Sequence, residues 1–147
     1  MIPESWLRVS RKTRSFDKPP SQIERRKTAI LRKDFSLPLK CLLRDGLLEA
    51  GQTFFDYGCG YGEDIELLRL RQIMASGWDP AFCPHEACTP AEVVNLGYVL
   101  NVIEDPEERA QVLSSAWALA TRLLVVAARV NVEGRGYAKV EFGDGIV

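Results

Sequence analysis

The chain has 147 residues, 46% of them apolar and 27% charged, and a formal net charge of −1. That length suggests one domain, and the apolar fraction is too high for a disordered chain. No apolar run approaches the ~18 residues of a membrane span, and the start MIPESWLRVSRK lacks the apolar core and cleavage site of a signal peptide, so a cytoplasmic protein is expected.

The net charge hides an asymmetry. Residues 1–40 hold eleven Lys/Arg and four Asp/Glu, whereas residues 41–147 hold eight and sixteen. A basic leader on an acidic body suits a phosphate-bearing partner, and it equally suits a solvated leader. Residues 1–35 read as a basic arm. Its first twenty residues carry Pro3, Pro19 and Pro20 with little periodicity, and SQIERRKTAILRK (21–33) predicts a short helix with Ile23, Ile30 and Leu31 inward.

Residues 36–147 read as an α/β domain. Ser36 can cap a helix whose first turn tolerates Pro38 and whose Leu39, Leu42 and Leu43 face inward to about Gly46. Gly51 then breaks the chain before the apolar strand Thr53-Phe54-Phe55. A helix is expected after Gly62, with Glu63, Asp64 and Glu66 in its first turn, where the helix dipole favours acids, and with Ile65, Leu67, Leu68 and Leu70 on its buried side. Met74 to Trp78 is a second strand ending in Asp79-Pro80, and residues 81–90, with Pro84 and Pro90, form a loop. Ala91 to Leu96 is a third strand. Asp105-Pro106-Glu107-Glu108 is a strong helix start, predicting a helix to about Thr121 with Val112, Leu113, Ala116 and Leu119 or Ala120 inward and Trp117 at its edge. Leu123 to Ala128 is a continuous apolar run, the pattern of a parallel strand buried on both faces.

Cys41, Cys59, Cys83 and Cys88 are expected to be reduced thiols in such a chain. Cys83-Pro-His85-Glu-Ala-Cys88 has ligand-type residues but not a common zinc spacing, and no second cysteine pair follows, so no metal is expected there. His85 is the only histidine, and no nucleophile stands beside it.

The chemistry concentrates in FFDYGCGYGE (54–63), where Gly58, Gly60 and Gly62 alternate at the end of the first strand. Glycines there let a ligand approach the backbone, in the place where α/β sheets bind ligands. Asp79 closes the second strand 17 residues after Gly62, near the spacing of an acid that accepts hydrogen bonds from ribose hydroxyls. A tight turn with no ligand is the plain alternative. A nicotinamide dinucleotide is disfavoured, because Asp56, Glu63, Asp64 and Glu66 would oppose its pyrophosphate. A cationic, phosphate-free nucleoside is the better match.

Asp56-Tyr-Gly58-Cys-Gly60-Tyr-Gly62 resembles the first motif of class I S-adenosylmethionine-dependent methyltransferases, and Trp78-Asp79-Pro80 resembles their second-strand acid. RRKTAILRKDFSLPLK, FDYGCGYGED and VVNLGYVLNVIEDPEERAQVL more closely resemble the methyltransferase family found beside bacterial DNA phosphorothioation systems. The resemblance covers about residues 24–147. It implies a Rossmann-like methyltransferase fold with a mostly parallel sheet, ordered 2-1-4-5 in the family's strand numbering, and S-adenosyl-L-methionine as cofactor. Asp56, Gly58, Gly60 and Gly62 would line its methionine moiety, Asp79 would hold the ribose, and Asn95, Gly97 and Tyr98 would lie beside the methyl group. Asn95-Leu-Gly-Tyr98 is distantly similar to the Asn-Pro-Pro-Tyr of amino-methyltransferases, which makes Asn95 and Tyr98 the candidate catalytic residues.

The implied function is methyl transfer to nucleic acid in a DNA-modification setting, with Lys12, Arg14, Arg25, Arg26 and Lys27 on phosphates. Two departures stand against it. Only fifteen residues separate Asp79 from Asn95, too few for a helix and a third strand, so the usual adenine-binding acid has no counterpart beyond Glu86. The chain also ends at Val147, before two further family strands. A shortened, non-catalytic module is therefore the alternative reading. Its last strand would be an exposed edge open to a protein partner or to self-association.

Overall fold

A computed structural model describes residues 27, 29 and 32–129, together with the backbone of residues 141–142 and 145–146. The expected helix over 21–33 falls mostly outside the described residues, as do Lys12, Arg14, Arg25 and Arg26.

The elements follow in the expected order. They are α1 (Leu37–Arg44), β1 (Thr53–Tyr57), α2 (Glu63–Arg69), β2 (Met74–Trp78), β3 (Ala91–Gly97), a 3-10 turn at Val99–Asn101, α3 (Pro106–Leu119) and β4 (Ala120–Ala127). Glu141–Phe142 (β5) and Gly145–Ile146 (β6) pair as a separate antiparallel two-stranded unit. The main sheet has the order β2-β1-β3-β4, and all of its pairings are parallel. This is the α/β architecture expected, with the strand order expected. Among the described residues no helix is long and apolar enough to cross a membrane.

Alternation along β1 builds the layers, because successive strand residues point to opposite faces. Phe54 packs with Leu39 and Leu42 of α1 and with Ile65 and Leu68 of α2. Phe55 packs on the other face with Val94, Leu96 and Ala116 of α3. Both phenylalanines are fully buried, each stabilising the fold by roughly 1.5–3 kcal/mol relative to exposure. At the amino ends of β1 and β3, Thr53 and Glu92 form a reciprocal clasp. The Thr53 amide donates to Glu92 Oε2 at 2.9 Å, and the Glu92 amide donates to Thr53 Oγ1 at 2.9 Å.

Several expectations need correction. β1 runs two residues further than the apolar run, through Asp56 to Tyr57. α3 stops at Leu119 and passes directly into β4, because Ala120 is already extended. On α3 only Ala116 is buried, Leu113 is exposed, and Trp117 is 69% exposed. The helix meets the sheet through Ala116, with Val112 and Leu119 packed half-buried beside it, while Leu113 and Trp117 point outward. Leu70, expected inward, lies at the C-cap of α2 and is exposed. The apolar run in β4 is not buried on both faces: it ends the sheet among the described residues, and Val126 is 44% exposed. Ser36 occupies the N-cap of α1, but its hydroxyl makes no capping bond.

Candidate functional site

Strand order reverses between β1 and β3. β1 is followed through α2 by β2 on one side, while β3 pairs on the other and leads on to β4. A crevice at the carboxyl ends of strands is expected at such a switch point. A polar cleft lies there, lined by Arg32, Ser36, Asp56, Gly58, Cys59, Glu63, Asp64, Asn95, Gly97 and Tyr98. Its enclosed part is about 30 Å³, room for a small polar group rather than a ring system.

Asp56 and Asn95 are register partners on β1 and β3, 5% and 3% exposed. Asn95 Nδ2 donates to Asp56 Oδ1 at 2.8 Å. Burial pushes the Asp56 carboxyl up to about 7; the Asn95 hydrogen bond opposes this, the charge of Asp64 adds to it, and Arg32 opposes it. The charges of Asp64 and Asp79 thus bear on Asp56 against that of Arg32.

Among the described residues, three buried oxygens on residues lining this cleft have no hydrogen-bond partner: Ser36 Oγ, Glu63 Oε1 and Asn95 Oδ1. Buried polar atoms are nearly always paired, so three together mark a place built to receive donors. The scaffold around them is otherwise satisfied. The Ser36 amide donates to Asp64 Oδ1 at 2.9 Å, which ties the start of α1 to the first turn of α2.

The glycine turn is shaped by backbone needs. Gly58 has φ +86°, and a Cβ there would overlap the Val99 side chain. The Gly58 and Cys59 amides both donate to the Trp78 carbonyl, at 2.8 and 3.2 Å, and the Gly62 amide donates to the Cys59 carbonyl. The Gly60 amide donates to Asp79 Oδ2 at 3.0 Å. Asp79 Oδ1 meanwhile accepts from the amides of Ala81 and Phe82. Asp79 is therefore a clasp between the turn and the loop after β2, with acceptor capacity left only on Oδ2.

Tyr98 follows Gly97 at φ +65°, a left-handed conformation unusual for a non-glycine residue. Its amide donates to the Ala127 carbonyl at 2.7 Å, and the Arg129 guanidinium lies 5.7 Å from the ring centroid. Strain of this kind costs about 1–3 kcal/mol and persists where surrounding contacts enforce it, often at functional sites.

The fold brings Asp56, Gly58, Asn95, Gly97 and Tyr98 together around the cleft. Gly60, Gly62 and Asp79 belong to the adjoining turn and loop and do not line it. Sequence reasoning missed Arg32, Ser36, Glu63 and Asp64 as site residues. Arg32 and Ser36 stand in RRKTAILRKDFSLPLK, a phrase that carried the family resemblance, but no spacing rule places that segment over the ends of β1 and β3. Among the described residues no group of three or more His, Cys, Asp and Glu side chains could hold a metal ion. No family model, curated protein or solved structure matches the chain.

Proposed function

We propose that the chain binds S-adenosyl-L-methionine in this cleft and is a methyltransferase of class I type. The observation that carries the reading is the set of unpartnered buried acceptors, Ser36 Oγ, Glu63 Oε1 and Asn95 Oδ1, gathered beside Asp56. An α-ammonium group has three N–H donors and a positive charge, and it fits the small enclosed volume. Arg32 on the same cleft is the matching cation for an α-carboxylate. The site thus suits a zwitterionic amino-acid end such as the methionine moiety. Asp79 Oδ2 retains capacity for one ribose hydroxyl. The cofactor would supply a methyl group already activated on a sulfonium, so the chain's own task is alignment, with Asn95 and Tyr98 at the carboxyl end of β3.

A dinucleotide is less well served. The amides of Gly58, Cys59, Gly60 and Gly62 already donate within the protein, leaving no cradle of turn amides for a pyrophosphate. A nucleic-acid acceptor and a DNA-modification role rest on the family resemblance and on the basic leader. The alternative, a cofactor-binding module without transfer activity, draws support from the β4 edge, where Val126 is exposed and no further strand pairs among the described residues.

Calorimetric titration with S-adenosylmethionine at pH 6 and pH 8 tests the reading. Saturable binding is expected, roughly tenfold tighter at pH 8, because Asp56 loses its proton near pH 7 and its carboxylate then faces the ammonium. Asn95→Ala should weaken binding by about tenfold or more. Absence of binding in a demonstrably folded sample, or preferential binding of NAD, overturns it. Binding without methyl transfer to DNA or RNA would favour the module.

A further inference from the structure

Cys59 and Cys83 occupy the turn after β1 and the loop after β2. Parallel strands that pair side by side bring the loops at their carboxyl ends together, and β1 and β2 pair along their whole length. The two sulfurs lie 3.2 Å apart. They sit beside two contacts joining the same two segments, Gly60 N–H to Asp79 Oδ2 and Tyr61 against Phe82 with ring centroids 4.3 Å apart, and an antiparallel bridge from Asp79 to Cys83 folds the β2 loop back on itself. The backbone on both sides is thus held, and the thiols face one another without rearrangement. A shared metal is not the explanation, since no third His, Cys, Asp or Glu completes a site among the described residues.

We infer that Cys59 and Cys83 are a redox-active pair whose reversible disulfide cross-links the glycine turn to the β2 loop and so fixes one wall of the cleft, which Cys59 lines. The oxidant is a low-molecular-weight disulfide such as oxidised glutathione. Cys83 attacks it, forming a mixed disulfide and releasing one glutathione thiolate. Cys59 then attacks Cys83 Sγ, forming the intramolecular bond and releasing the second glutathione. Two protein thiols lose two electrons, the glutathione disulfide gains them, and the two thiol protons end on the two released glutathiones. Burial and the neighbouring Cys83 push the Cys59 thiol up, which suits it to the second, intramolecular step rather than the first. This inference stands apart from the cofactor reading, because it needs only the two loops.

The test uses the full chain, native, incubated with glutathione disulfide, alkylated and digested without reduction. Cleavage after Arg44, Arg69 and Glu86 puts Cys41, Cys59, Cys83 and Cys88 in separate peptides. One cross-link is expected, between the peptides of Cys59 and Cys83, lost on adding dithiothreitol and no longer selective when the reaction is run in denaturant. Cys59→Ser should trap glutathione on Cys83, whereas Cys83→Ser should leave Cys59 unmodified. Cross-links from either residue to Cys41 or Cys88 in the native protein overturn the pair. So does a stable glutathione adduct on Cys83 with Cys59 still free. The wild-type map decides the question even where a serine variant fails to fold.

Discussion

The same two strands, β1 and β3, carry an acid and a neutral partner at each end, and the two ends are built oppositely. At the amino end, Thr53 and Glu92 exchange hydrogen bonds in both directions. At the carboxyl end, Asp56 and Asn95 share one bond of 2.8 Å, Asn95 Oδ1 is left without a partner, and the Asp56 carboxyl is pushed up to about 7. The closed pair is what a sheet needs to hold register. The open pair is destabilising in isolation, since unpaired buried polar atoms each cost about 1–3 kcal/mol. Under the proposed function a ligand completes the open pair, so the contrast would separate scaffold from site within a few residues of one strand.

Removing the charge from the open pair should produce the largest effect. The Asp56 carboxyl titrates near 7 folded against 3.8 in an ordinary setting. The folded form therefore holds a proton that the unfolded form releases, and stability falls as pH rises from about 4 through about 7, then levels. Over that window the loss is on the order of 4 kcal/mol. Asp56→Asn keeps an acceptor for Asn95 Nδ2 and removes the ionisation. Denaturant unfolding should find the variant close to wild type at pH 4 and more stable by that order at pH 8, while its binding of S-adenosylmethionine drops by tenfold or more. An unchanged slope of stability with pH in the variant would mean that Asp56 is not the group responsible.

The closed pair should respond the other way. Thr53→Val removes the hydroxyl that accepts from the Glu92 amide and leaves that amide unpaired. A loss of about 1–2 kcal/mol is expected from chemical denaturation, with ligand affinity unchanged. A matching fall in affinity would show that the two ends are coupled through the strands and that the division between scaffold and site is too sharp.

The same contrast explains what the sequence made legible. The scaffold was largely readable, because short apolar runs, the Asp105-Pro106 cap and the glycine turn are local signals. Asp105 Oδ1 does accept from the Glu107 amide, as that signature predicts. The misreadings arose where neighbours decide: β4 has the composition of a doubly buried strand yet lies at the edge that the strand order implied, and α3 carries Leu113 and Trp117 toward solvent. At the site, Asp56, Gly58, Asn95, Gly97 and Tyr98 were named through the family resemblance, and the fold brings these five around one cleft. Ser36 and Asp64 were not, since they meet where the start of α1 is tied to α2, a contact 28 residues apart in sequence. Cys59 and Cys83 could have been paired in advance by noting that both follow adjacent parallel strands.

Arg32 gives the smallest and sharpest test of the open pair. It is exposed, it lines the cleft, and its charge acts on Asp56 against the effect of burial. Its exposure keeps the interaction weak, because water screens a surface charge. Arg32→Gln should therefore leave stability at pH 4 within about 0.5 kcal/mol of wild type, as for most surface substitutions. It should also move the Asp56 midpoint in the stability–pH profile to higher pH and weaken S-adenosylmethionine binding roughly threefold to tenfold, through the lost partner for the carboxylate. A midpoint that stays in place with affinity reduced would assign Arg32 to the ligand alone. A midpoint that moves with affinity intact would make it a guard on the acid, with the ligand's carboxylate held elsewhere.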